Sequence, residues 1–364
     1  MMDWVQERLP LLSRMNTRSP GWTKVCILRA MLTWSWPALV RESDAITSPY
    51  LVQIPTQYVI AQAVLRFWAS GEYVTRTARE AIDRPPAEDY RGHVRIHVGH
   101  ELVFEVPRPT PMLLMLYVRP EVAPALERPE DIVAEPVGRV ESFVDWFGNR
   151  AARIVAPAGS LRLRYDNVVE DSGRPEPTIE GLSLRPLAEL PPEAWRYLLA
   201  SRYCEVDRMS AIAWDLFGST PESWERVQTV VDWVHDNVTF GYQYSRPTKT
   251  AFDVFTERQG VCRDFQHLAI TFLRALNIPA RYATGYLGDI GVPPDPNPMD
   301  FSAWLEVYVG DGWYTLDARH NQPRIGRVLM GRGRDAVDVA LTTSFGSTTL
   351  TKFTVWTAQA GRAG

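Results

Sequence analysis

Cysteine is scarce in this chain: three in 364 residues, Cys26, Cys204 and Cys262, widely spaced and odd in number. No C-x-x-C pair occurs. That spacing argues against a disulfide framework and against a thiolate metal site, and it suits a reducing cytoplasm. Charge of one sign is lacking as well. A formal net charge of -4 gives no reason to expect nucleic acid or an anionic membrane surface as the main partner. Long apolar runs are missing too. The best candidate, residues 25–40, is interrupted by Arg29 and Pro37, and no A-x-A-like cleavage site follows it for a leader starting at Met15. There is no internal repeat and no low-complexity tract. The expectation is a cytoplasmic globular protein of two or three domains, without a cofactor or a membrane partner.

What is present changes character near residue 93. Residues 1–92 are rich in Trp and Arg, offer one helical pattern over 56–82, and carry no motif. They are read as an extension of unclear role. The rest of the fold is expected to form without them, and a natural start near Val94 or Val98 fits the same change. Residues 93–185 read as a small antiparallel β domain: "VRIHVGHELVFEV", "MLLMLYV" (112–118) and "SLRLRYDNVVE" (160–170) follow strand patterning, and 170–181 is a polar loop. Helical spacing follows over 191–204, 209–218 and 221–238, with Pro221 after Ser219 and Thr220 as the expected start of the last. After Cys262, apolar residues recur at i, i+3, i+4 and i+7 until Asn277 and Pro279 end the helix. "ARYATGYL", "WLEVYV" and "WYTLDA" read as strands, with Gly310-Asp311-Gly312 turning between the last two. Residues 186–358 thus form one helix-then-strand unit.

Cys262 would sit at the start of a helix, where unpaired N–H groups and the helix dipole favour a thiolate, with Arg263 adding positive charge if it faces the sulfur. Alone, such a cysteine is more often a small buried residue. Its surroundings argue otherwise. "TAFDVFTERQGVCRDFQHLAITFLRALNIPARYATGYL" (250–287) and "DFSAWLEVYVGDGWYTLDA" (300–318) resemble the transglutaminase-like superfamily, of the bacterial cysteine protease and amidase type. The resemblance covers about residues 190–320. It implies an α+β fold: a papain-like core of helices and antiparallel sheet, here preceded by the β domain. It also implies a thiol that attacks an amide carbonyl to form a thioester, acting on a peptide or other amide substrate. By the resemblance Cys262 is the nucleophile and Asp317 the carboxylate that orients a histidine. The histidine position itself holds Ser302.

A serine hydroxyl cannot store a proton at neutral pH, so the usual Cys–His–Asp relay is absent from its usual place. Two histidines are candidates to replace it. His267 lies about 140° around the helix from Cys262 and suits a structural role. His320 stands three residues past Asp317. On a continuing strand it would face away; a turn after Ala318, which Asn321 and Pro323 allow, would bring it back. His93, His97 and His100 do not make a metal site on one strand, since His93 and His97 are about 13 Å apart and His100 points the other way. His235 is read as a packing or surface residue. The arginines of 318–335 are read as a solvated loop, with a rim gripping a carboxylate or phosphate as the sharper possibility. Three readings stay open: an active amide hydrolase or acyltransferase with an altered triad, a silent domain binding peptide or polymer in the cleft, and a thiol enzyme whose substrate supplies the base.

Overall fold

Alternating apolar residues open the described part of the chain and pair into long strands. The computed structural model describes residues 93–361, apart from 139 and 178. The helix expected over 56–82 and Cys26 lie outside the described residues. Among those described, no helix is long and apolar enough to cross a membrane.

Strand β1 (Val94–Val106) buries Ile96, Val98, Leu102 and Phe104 and pairs along its whole length with β6 (Gly159–Asp171). With β3 (Val133–Glu135) and β14 (Thr349–Gln359) they form a sheet in the order β14-β1-β6-β3. A second sheet runs β13-β2-β5-β4, from Thr342–Ser344, Thr110–Leu114, Arg150–Ala156 and Glu141–Val144. The inward residues of both sheets share one core, as in a sandwich. The chain returns to this β unit at its end, through β13 and β14. The strand expected over 112–118 ends at Leu114, although Met115 N–H still reaches the Leu341 carbonyl at 2.8 Å in the register of β2 on β13.

The second unit is built around one helix. Helices α1 (Val206–Phe217), α2 (Trp224–Asn237) and α3 (Ala251–Glu257) surround α4 (Cys262–Ala275), whose residues from Arg263 to Ala275 are all buried. A four-stranded antiparallel sheet covers its other side, ordered β11-β10-β9-β12: Gly312–Leu316, Ser302–Val309, Ala280–Leu287 and Arg327–Gly333. Leu268, Ala269, Phe272 and Leu273 of α4 join Ala280, Leu305 and Val307 of the sheet in one apolar cluster. Asn277, at a left-handed φ of 64°, ends the helix just before Pro279. The result is the α+β arrangement of helices and antiparallel sheet, with a β unit built from strands that precede and follow it.

Two expectations about local structure are corrected. Residues 192–197 form a short 3-10 turn rather than a helix over 191–204, and Arg274 of α4 takes the carbonyl of Leu199 at 3.0 Å just beyond it. Helix α2 begins at Trp224, with Ser223 as its cap, not at Pro221. Residues 221–224 are drawn out of the helix because Glu222 O accepts from Leu184 N–H and Trp224 N–H donates to Leu182 O.

Both apolar cores close within the described residues. A chain beginning at residue 91 is therefore expected to be soluble and to melt in one cooperative transition by circular dichroism or calorimetry. A molten or insoluble product would show that residues before 91 belong to the core.

Candidate active site

The start of α4 is set by its own acidic residue. Val261 is extended, and its N–H donates to Asp264 Oδ2 at 3.0 Å, which satisfies one free donor of the helix start. Gly260 has to be glycine here: a Cβ would meet the Asp264 Cβ at 2.6 Å. The short pair of β7 (Thr239–Phe240) and β8 (Gln259–Gly260) holds the approach. Cys262 is thereby placed at the first position of the helix, partly exposed to a cavity of about 90 Å³. Tyr242, Thr284, Asp300 and Ser302 also line that cavity.

The thiol's surroundings differ from those expected. Burial pushes Cys262 up, to about 11, and the charge of Arg319 opposes the shift while Asp300 and Asp317 add to it. Arg263 does not serve as the neighbouring cation in the expected way. Its Nε donates to Asp264 Oδ1 at 3.0 Å and its Nη2 to the Arg246 carbonyl at 2.9 Å. With burial as the largest influence, the sulfur carries its proton at rest.

On the sheet side, β11 ends at Leu316, so Asp317 is not on a strand. Asp317 instead folds the chain around its own carboxylate. Its Oδ1 accepts from Arg319 N–H at 2.9 Å and His320 N–H at 3.2 Å, while Asn321 N–H donates to the Asp317 carbonyl at 2.7 Å. This is the side-chain turn that aspartate makes well. Strand alternation no longer applies across 317–320, and His320 comes back to its partner: Nδ1 lies 2.8 Å from Asp317 Oδ2. Two further donors complete the carboxylate, Gln266 Nε2 at 3.0 Å and Arg327 Nη2 at 3.1 Å. Burial alone would push Asp317 up, but the charge of Arg327 and the bonds from His320 hold it well below the carboxylate range. Asp317 is therefore ionised at any working pH.

Gln266 carries the link to the nucleophile. It lies one turn after Cys262 on α4, and its Oε1 accepts from Ala318 N–H at 3.2 Å. Ser302, the first residue of β10, is 8% exposed, and its Oγ has no partner among the described residues. Leaving a buried hydroxyl unpaired costs about 1–3 kcal/mol, so something is expected to use it.

The remaining histidines fall outside this cluster. His267 is buried and stacked on Tyr203, and its Nε2 accepts from Ala336 N–H at 3.1 Å, which ties α4 to the loop after β12. His97 pairs with Asp166 at 3.2 Å and His100 with the Tyr286 hydroxyl at 2.8 Å, on opposite faces of β1. His235 Nδ1 lies 3.0 Å from the Arg319 carbonyl.

The arginines of 318–335 form neither a solvated loop nor an open anion rim. Arg324 is buried, the Arg327 side chain is largely covered and bonded to Glu176 and Asp317, and Arg332 and Arg334 pair with Glu306 and Asp338. Sequence reasoning missed Gln266, Arg327, Tyr242 and Asp300. The available signal for Gln266 was its place four residues after the cysteine; Asp300 stood in the quoted motif without a role.

The transglutaminase-like superfamily model (Transglut_core) matches residues 211–318, which hold Cys262, Ser302 and Asp317. The crystal structure of a candidate cysteine protease from Cytophaga hutchinsonii is 30% identical, with a TM-score of 0.66, over 75% of this chain and 92% of that one. The chain belongs to the transglutaminase-like superfamily. Among curated relatives of this transglutaminase-like chain, an uncharacterised Mycobacterium leprae protein is 25% identical over 213 residues, 56% of this chain and 75% of its own. An uncharacterised Mycobacterium tuberculosis protein is 37% identical over 97 residues, 24% of this chain and 31% of its own.

Cys204 is fully buried, with its thiol toward the His267 carbonyl at 3.7 Å, while Cys262 borders the cavity. Iodoacetamide is therefore expected to label Cys262 well before Cys204. Because burial holds the Cys262 thiol near 11, its labelling rate is expected to rise about tenfold per pH unit between pH 7 and 10. Peptide mapping over a pH series reads both. A rate already flat at pH 7 would mean a preformed thiolate and would contradict this account.

Proposed function

We propose that this transglutaminase-like protein is a cysteine-dependent amide hydrolase or acyltransferase, with Cys262 as nucleophile and His320, oriented by Asp317, as its base. The observation that carries the reading is the 2.8 Å contact between His320 Nδ1 and Asp317 Oδ2. A carboxylate that accepts at Nδ1 requires the proton there, which leaves Nε2 as the free acceptor. The base lost at position 302 is thus supplied three residues after the carboxylate, by a turn that the carboxylate itself makes.

The chemistry follows from these roles. Cys262 Sγ attacks the carbonyl carbon of an amide while its proton passes to His320 Nε2. Asp317 stabilises the imidazolium that forms. The imidazolium then protonates the leaving amine, the C–N bond breaks, and a thioester remains on Cys262. Water or an amine resolves it and the thiol is restored. A resting thiol near 11 makes this transfer a requirement rather than a refinement. Tyr242, raised by burial and by the nearby Asp300 and Cys262, stays protonated and is available as a donor in the cavity. A peptide or related amide fits the chemistry as substrate. Two reduced cysteines, Cys204 and Cys262, suit a reducing compartment such as the cytoplasm.

His320→Ala is expected to lower kcat/KM on activated esters and peptide amides by about 10²–10⁴-fold, with the melting temperature little changed. Cys262→Ala should abolish covalent acylation seen by intact-protein mass spectrometry. If His320→Ala leaves acyl transfer intact, the base lies elsewhere. A native protein that never acylates Cys262 would leave peptide binding in the old cleft as the function.

A further inference from the structure

Position 302 lacks an imidazole, yet the cavity beside Cys262 gives its serine something to do. Ser302 Oγ is buried there without a partner among the described residues. Its backbone is fixed: β10 pairs Ser302 with Gly285, and the Ser302 carbonyl accepts from Thr284 Oγ1 at 2.9 Å. The hydroxyl alone is left over. Two residues earlier, Asp300 lines the same cavity. Its Oδ1 accepts from Phe301 N–H at 2.7 Å, and it has no ion-pair partner among the described residues. The cavity is about 90 Å³, above the roughly 10–15 Å³ that one water needs, and a buried water needs two or more polar partners.

We propose that Ser302 and Asp300 seat and activate the water that resolves the Cys262 thioester, which makes this protein a hydrolase rather than an amine acyltransferase. The inference rests on the thioester reading above. In the step, the water oxygen bonds to the thioester carbonyl carbon while one of its protons passes to the free Asp300 oxygen. The tetrahedral intermediate collapses, the C–S bond breaks, and sulfur leaves with the bonding pair. The Asp300 proton returns to the thiolate, so the sum is thioester plus water giving carboxylic acid plus thiol. Ser302 Oγ accepts from or donates to the water and holds it against the carbonyl. Burial pushes Asp300 up to about 6, against the Phe301 N–H bond and the charge of Arg319. A carboxylate so placed is a better base for water than an ordinary surface aspartate.

This arrangement also gives a reason for a serine where an imidazole is expected. With His320 already on Asp317, a second imidazole at 302 would fill the cavity and displace the water. Acylation and deacylation are then served by different groups, His320 for the first and Asp300 with Ser302 for the second.

The full chain, with p-nitrophenyl acetate as probe, separates the two steps. Burst kinetics reads acylation, steady-state turnover reads deacylation, and intact-protein mass spectrometry reads the acetyl-enzyme. Asp300→Asn is expected to keep the burst and to slow turnover by about 10²-fold or more, so that the acetyl-enzyme accumulates. Ser302→Ala should slow turnover about tenfold with the same pattern. Hydroxylamine, which needs no general base, should restore turnover in both variants. Unchanged turnover in both, or burst and turnover falling together, would overturn the proposal while leaving the thioester reading in place. A native protein that forms no acetyl-enzyme overturns both.

Discussion

One carboxylate holds the candidate site together. Asp317 accepts from Gln266 on the central helix, from Arg327 on β12, from two N–H groups of its own turn, and from the imidazole of His320. An ionised group buried to this degree is tolerable only when its lone pairs are filled, and here they are. The cost of burying the charge is offset by fixing three elements against each other: the helix bearing Cys262, the end of β11, and the strand beyond the turn. The turn that saturates the carboxylate is the same turn that delivers the histidine.

From that constraint the division of labour follows. The thiol is held protonated, because burial pushes it up and Arg263 is committed to Asp264 and the Arg246 carbonyl. In the proposed reaction, activation is left to proton transfer. By the same proposal such a site is quiet towards solutes at neutral pH and becomes nucleophilic when a carbonyl is bound and the imidazole takes the proton. A resting neutral thiol also protects a partly exposed cysteine from oxidation, since the thiolate is the reactive form.

Much of this was legible in the sequence, and the failures are instructive. The long segment around Cys262 placed the helix, its end at Asn277 and the following strands, because apolar periodicity and the Asn–Pro stop signal both reflect local physics. His267 was separable from the site by helical angle alone. The return of His320 was not decidable, because strand alternation and a turn predict opposite directions and the choice depends on a side-chain-to-backbone bond at Asp317. The start of α2 was misplaced for a related reason. Pro221 and Ser219 make a sound local helix start, but pairing of residues 222 and 224 with the 182–184 segment, nearly forty residues away, moves it. The arginines after Asp317 were misjudged because composition shows charge but not the acidic partners, Glu176 and Glu306 among them, that fold back onto it.

Asp317 and His320 are expected to act as one unit upon Cys262. A double-mutant comparison tests it: kcat/KM for acylation in Asp317→Asn, His320→Ala and the double variant, each checked for an intact fold by its melting transition. Groups that work as a unit lose their effect together, so the double variant should be no slower than the slower single one, within about threefold. Losses that multiply across the two substitutions would show that the carboxylate and the imidazole act independently, and would contradict the account.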